Sequence, residues 1–249
     1  FSHIAYLNGQ PQVALDGFER IADHPNFKEL VPLYIAQLLH ATGQFDRLKD
    51  YAPPLLDESS GLDEESVAEV AHLLGDAWYR DNAFDTASPY LELAWAGTDG
   101  PGRNPEFAYQ MGYTRYQLGD WRGALDCLPL ATYNDDELAQ NAAYHMADCY
   151  LNMGDRARAK QAFKTASTPE FDVDIQEDAF FHYAKLAYEL SFNPFDDAIV
   201  AFETYLEQFP SSARRDEAYR FLLQVHMTSR DYERALRALD NITNPDETV

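Results

Sequence analysis

One spacing recurs along this chain and leaves few folds open to it. A stretch of helical period ends at a break residue. Two positions later stands a space-filling side chain, three further on a small one, and four after that an apolar one. The breaks fall at Gly9, Gly43, Asn82, Gly119, Gly154, Asn193 and Arg230, at intervals of 34, 39, 37, 35, 39 and 37 residues. The space-filling position reads Pro11, Phe45, Phe84, Trp121, Arg156, Phe195 and Tyr232. The small position reads Ala14, Leu48, Ala87, Ala124, Ala159, Ala198 and Ala235, and the apolar one Phe18, Ala52, Leu91, Leu128, Phe163, Phe202 and Leu239. A small residue at a helix crossing lets two backbones approach, and a large one a turn later fills the space beside it. Each pair of helices still exposes an apolar stripe that only a neighbouring pair can cover, so the pairs must stack.

The stretch Asn104–Ala131 shows the unit most clearly. Asn104 caps a helix and Pro105 suits its first turn, where a missing N–H costs nothing. Phe107, Ala108, Met111, Gly112, Arg115 and Tyr116 recur at helical spacing. Gly119 ends this helix, Asp120 starts the next, and Trp121, Ala124, Leu125, Leu128 and Ala131 form the second helix's apolar face.

At these positions the chain resembles the tetratricopeptide repeat family. Leu74-Gly75-Asp76-Ala77-Trp78 matches the family's L-G-x2-aromatic core, and Ala14…Phe18…Pro25 and Ala198…Phe202…Pro210 match its A-x3-F…P half. The resemblance implies an all-α fold, a right-handed α–α superhelix of about seven helix hairpins, in a single solenoid over 1–249. The repeats are expected near 1–25, 26–57, 64–96, 104–132, 136–167, 175–210 and 212–243. Two copies depart from the pattern. Leu48 and Ala52 exchange sizes, and Pro53-Pro54 should shorten or kink that second helix; Arg156 stands where an aromatic is expected. The linkers Asp57–Asp63, Gly97–Asn104 and Ser167–Asp174 are the expected flexible loops.

The segment Phe195–Leu239 carries a finer signature, A-I-x2-F-x2-Y-L-x2-F-P-x-S-x4-E-A. It is similar to bacterial cell-envelope repeat proteins such as outer-membrane assembly lipoproteins and the Tol-Pal-associated periplasmic factor. That likeness implies a scaffold in the bacterial periplasm or at the outer membrane; the cytoplasm is the alternative. Eight residues precede Gly9, and Asn-Pro-Asp follows Thr243 with no polar capping helix. A fragment of a longer repeat protein is therefore expected, with self-association through uncapped ends as the other reading.

The formal charge is −23, from 19 basic and 42 acidic side chains. That balance opposes nucleic-acid binding and docking on anionic lipid. No apolar run is long enough to span a bilayer, so membrane insertion is not expected. No metalloprotease, phosphate-loop, nucleophile-elbow or C-x-x-C motif occurs, and the chain is read as non-enzymatic with no cofactor and no metal. The carboxylates Asp63-Glu64-Glu65, Asp135-Asp136-Glu137 and Asp196-Asp197 sit at helix starts, where they complement the helix dipole. His145 and Asp148 share a helix face but lack a second ligand pair. Cys127 and Cys149 read as buried thiols, with a disulfide the weaker alternative.

In the family resembled, the first helix of each hairpin lines a concave groove. Taking its successive turns gives the candidate partner-binding residues: His72, Asp76 and Tyr79; Glu106, Tyr109, Tyr113 and Tyr116; Tyr144 and Asp148; and Tyr183. Tyr109, Tyr113 and Tyr116 are spaced to share one face, opposite Phe107 and Met111. Tyrosine offers area and a hydroxyl at small entropic cost. The expected function is capture of a basic or amphipathic peptide or helix of a protein partner. The alternative is a carbohydrate-binding module using Tyr109, Tyr113, Trp78 and Asn141.

Overall fold

The computed structural model describes residues 2, 5, 8–22, 24, 27, 30–191 and 195–243. The break at Asn193, the family position Pro25 and the Asn-Pro-Asp stretch lie outside these. The α-helices are α1 (Pro11–Glu19), α2 (Val31–Ala41), α3 (Phe45–Tyr51), α4 (Glu64–Arg80), α5 (Phe84–Ala96) and α6 (Pro105–Gln117). They continue as α7 (Trp121–Cys127), α8 (Glu137–Asn152), α9 (Arg156–Ala166), α10 (Val173–Leu190), α11 (Asp196–Gln208), α12 (Arg215–Thr228) and α13 (Tyr232–Asp240). Among the described residues there is no strand. The fold class is all-α, a succession of helix hairpins as the repeat predicts. The helices gather into two compact units, Phe1–Asp120 and Trp121–Val249.

The breaks are left-handed residues. Gly9, Gly43, Asn82, Gly119, Gly154 and Arg230 all have φ between 57° and 78°. In each case the following N–H reaches the carbonyl five residues back, as in Gln44 to Leu39 at 2.8 Å, Ala83 to Trp78 at 3.1 Å and Asp155 to Tyr150 at 2.8 Å. The left-handed residue itself bonds three back, as in Gly43 to His40 at 2.9 Å and Arg230 to Met227 at 3.2 Å. This is the Schellman closure, which satisfies carbonyls that a helix end would otherwise orphan. The residue after it already serves as N-cap of the second helix, so the reversal takes two residues. Asp155 and Asp231 fill that role with side-chain oxygens accepting from Arg158 and Arg234 N–H. The sixth pair differs: Phe195 itself is left-handed at φ 63°, and α11 starts one residue later, at Asp196.

The small positions all pack. Ala14, Leu48, Ala87, Ala124, Ala159 and Ala198 have no exposed surface and Ala235 has 2%. In the first unit, α1–α2, α2–α3, α3–α4, α4–α5 and α5–α6 are in contact, and α2 also touches α4. Its core runs through Leu15, Phe18, Ile35, Leu39, Leu48 and Leu74. In the second unit α7 through α13 pack in sequence, with α8 also against α10. Its cores centre on Phe163 with Ala159 and Ala179, and on Phe202 and Tyr205 with Phe181.

Prolines trim two second helices. The expected interruption at Pro53-Pro54 is present: α3 stops at Tyr51 and a 3-10 turn covers Pro53–Leu56. The second helix after Gly119 is shorter than its apolar pattern predicts. It is α-helical only to Cys127 and continues as 3-10 from Leu128 to Thr132, because Pro129 has no N–H to return to Leu125. Leu128 and Ala131 are still buried, but Leu125 is only half-buried.

The linkers are tied down by specific bonds. Gln140 on α8, 1% exposed, donates from Nε2 to the carbonyls of Ala166, Pro169 and Asp172 and accepts from Asp172 N–H at 2.8 Å. One amide thus holds most of the linker expected to be flexible at Ser167–Asp174. The Y-L-x2-F-P-x-S signature is equally physical. The Tyr205 hydroxyl lies 2.6 Å from Ser212 Oγ, and both donate to Glu177 Oε1 at 3.0 and 2.6 Å. Burial pushes the Tyr205 phenol up to about 12, so it stays protonated and able to donate.

Candidate functional site

In the first unit the candidate residues lie on α4 and α6, the first helices of successive pairs. They fall into a polar cluster and an aromatic one. Asp76 is the centre of the polar cluster. Its Oδ2 accepts from His40 Nε2 on α2 at 2.6 Å and from Arg80 Nε at 2.6 Å, and its Oδ1 accepts from Gln110 Nε2 on α6 at 2.7 Å. Gln110 Oε1 in turn lies 3.1 Å from His72 Nε2. One carboxylate therefore joins three consecutive first helices. Burial works to raise its pKa, but the bonds from His40 and Arg80 and their charges outweigh this and hold it at about 2. Burial pushes the His72 imidazole below its usual range, against the Gln110 bond and the Asp76 charge. His72 also packs on Phe107, ring centres 4.0 Å apart.

The aromatic cluster is a row along α6. Tyr109 stacks on Tyr113 at 5.7 Å with planes 8° apart, and Tyr113 stacks on Tyr116 at 5.9 Å and 22°. Tyr79 and Phe84 meet Tyr113 edge-on at 6.1 and 5.7 Å. These tyrosines are half-buried, whereas Phe107 and Met111 on the opposite face are 3% and 0% exposed. Burial, then the neighbouring phenols, raises the pKa of Tyr79 and Tyr109 well above the ordinary phenol value. Both remain O–H donors at any physiological pH. Glu106 stands exposed in the first turn of α6, outside both clusters.

The second unit places its candidates separately. Tyr144 on α8 donates its hydroxyl to Asp178 Oδ2 on α10 at 2.6 Å. Arg214, just ahead of α12, pairs with Asp178 Oδ1 at 2.5 Å. Asp178 thus bridges consecutive first helices as Asp76 does, although it sits several turns further from its own break. Asp148 is half-buried on α8 and acts electrostatically on His182. Tyr183 is half-buried against Phe180, with Lys164 Nζ over its ring at 5.7 Å.

Residue spacing alone did not single out His40, Gln110, Asp178 or Arg214. The usable signal was Gln110, a polar residue at the core phase of α6, between Phe107 and Met111 and itself only 7% exposed. Trp78, a candidate for sugar stacking, packs against the first unit's core with Lys49 Nζ 4.4 Å over its ring. Asn141 donates to the Glu137 carbonyl within its own helix.

Burial drops the His145 imidazole to about 4, and its ring meets Tyr144 edge-on at 5.7 Å. Cys127 and Cys149 are both buried thiols rather than a disulfide. Among the described residues no group of three or more His, Cys, Asp or Glu side chains is placed to hold a metal ion. No helix among them is long and apolar enough to cross a membrane. The two clusters gather phenol faces, O–H donors and an internally bonded carboxylate.

The tetratricopeptide repeat profile matches residues 141–166 and 178–212. These segments cover most of the α8–α9 and α10–α11 pairs. Solved structures of this fold align over most of its length. YrrB, described as a TPR protein with an unusual peptide-binding site, is 18% identical with a TM-score of 0.61, over 83% of this chain and 100% of that one. The C-terminal part of a TPR repeat-containing protein from Cytophaga hutchinsonii is 12% identical with a TM-score of 0.57, over 99% and 96%. A chain of the Naa15/Naa10 complex bound to HypK-THB is 17% identical with a TM-score of 0.53, over 96% of this chain and 38% of that one. Among curated proteins no sequence matches.

Proposed function

We propose that the chain is a non-catalytic scaffold for protein–protein interaction, holding a peptide or helix of its partner against the face formed by first helices. The observation that carries this is the Tyr109–Tyr113–Tyr116 row with Tyr79 set edge-on to it. Stacked phenols give a stiff, amphipathic contact surface that loses little entropy on binding. Asp76 contributes indirectly: its oxygens are engaged by His40, Arg80 and Gln110, so it fixes the relation between α2, α4 and α6. A basic or amphipathic ligand fits the chain's charge of −23. A bacterial envelope location rests on the likeness of Phe195–Leu239 to envelope repeat proteins.

The test is a peptide array made from the envelope proteins of the native organism, read by fluorescence polarisation. Ligands should lose about tenfold in affinity on the Tyr113→Ala plus Tyr116→Ala variant. Unchanged affinity would reject the tyrosine row as the contact.

A further inference from the structure

In the first unit two adjoining cavities open where its two long linkers close on α4 and α5. An apolar cavity of about 340 Å³ is floored by Leu56, Leu62, Val67 and Leu93 and rimmed by Asp57, Glu58 and Glu64. Leu93 is 41% exposed, a large apolar side chain left at the surface. Beside it lies a polar cavity of about 620 Å³, lined by Glu64, Glu65, Glu69, Asp99, His72 and Phe107. The two share Glu64, Ala68 and Gly97. At that shared edge the helices meet closely: a Cβ at Gly97 would fall 2.7 Å from the Cβ of Ala68.

Neither cavity has a Lys or Arg in its lining. Among the described residues Asp57, Glu58, Glu64 and Glu65 are in no ion pair, while Glu69 accepts from Gln37 and Asp99 stands 3.9 Å from Arg103. Asp63 spends its carboxylate capping α4, and Glu64 and Glu65 complement the dipole of that helix. A helix N-terminus presents roughly half a unit of positive charge. The carboxylates of Asp57, Glu58, Glu64, Glu65, Glu69 and Asp99 exceed this several-fold, so the field at the apolar cavity is negative. An apolar pocket ringed by one sign of charge selects a ligand carrying the other.

We infer that this pair of cavities docks a basic amphipathic segment of a partner protein, with a leucine- or phenylalanine-sized side chain in the first and a neighbouring lysine or arginine in the second. A second copy of this chain suits the site poorly, because it brings 42 acidic side chains against 19 basic ones. The inference does not rest on the tyrosine row.

The test uses fluorescein-labelled nonapeptides with a central leucine or phenylalanine and lysine placed one to four positions to either side, titrated against the whole chain. A subset should bind, weaken with added salt, and lose about tenfold on Leu93→Asp and about threefold on Glu64→Gln plus Glu65→Gln. Leu93→Ser, checked by circular dichroism, guards against a folding defect in the aspartate variant. The same peptides should keep their affinity on Tyr113→Ala plus Tyr116→Ala. Absence of binding, binding indifferent to Leu93, or loss only on the tyrosine variant would each overturn the inference. So would a dimer, seen by sedimentation, that Leu93→Asp abolishes.

Discussion

His40 and Asp76 stand 36 residues apart in sequence and 2.6 Å apart in space, Nε2 to Oδ2. The bond joins the first helix of one pair to the first helix of the next, and Gln110 extends it to a third. Truncating Asp76 to Ala leaves His40, Arg80 and Gln110 without their shared acceptor. The cost should be about 2 kcal/mol, read from urea denaturation. The pH dependence has a definite sign. The folded pKa is about 2 against an ordinary 3.8, so the contribution is complete above 3.8 and is lost as pH falls towards 2. In Asp76→Asn that part of the acid dependence should vanish.

His145 acts in a different window. Its folded pKa is about 4 against 6.5, because burial disfavours the imidazolium. The unfolded chain therefore takes up this proton first, and stability falls from pH 6.5 downward until about pH 4 is reached. The loss should be on the order of 3 kcal/mol, and His145→Gln should flatten it in denaturation curves recorded across that range.

Gln140 makes four bonds from one buried amide. Replacing it by Leu keeps the volume and strands the carbonyls of Ala166, Pro169 and Asp172 with the N–H of Asp172. A loss of about 2–3 kcal/mol is expected, together with faster amide exchange of Asp172 measured by NMR. A simple packing role would leave that exchange unchanged.

The left-handed turns allow a paired test. At Gly43, φ 70°, an added Cβ meets nothing within 4 Å, so Gly43→Ala isolates backbone strain and should cost about 1 kcal/mol. Arg230, φ 61°, already bears that strain, and Arg230→Gly should recover part of it, up to about 1 kcal/mol. Opposite shifts in thermal midpoint are the expected pair of results.

The repeat was legible because its marks are local. A left-handed glycine or asparagine and a small residue five positions on identify themselves by type, and Ala87, Ala124 and Ala159 are all fully buried. Helix length was less legible at Leu125–Ala131, where apolar spacing suits an α-helix and a 3-10 turn alike until Pro129 is weighed. The shift of α11 to Asp196 was hidden because Phe195 has no residue-type preference for its conformation. The polar links escaped for a different reason. Asp76 and Asp178 look like solvent-facing carboxylates on their own helices, and only the neighbouring helices supply His40, Gln110, Tyr144 and Arg214. The paired cavities arise from the linkers, whose folding depends on what they lie against.

Reversing direction through a single left-handed residue has a consequence in time as well as in space. Each pair of helices can close using only the residues between its own ends, without waiting for distant sequence. A nascent chain leaving the ribosome would therefore complete one pair after another, each finished pair offering a template for the next.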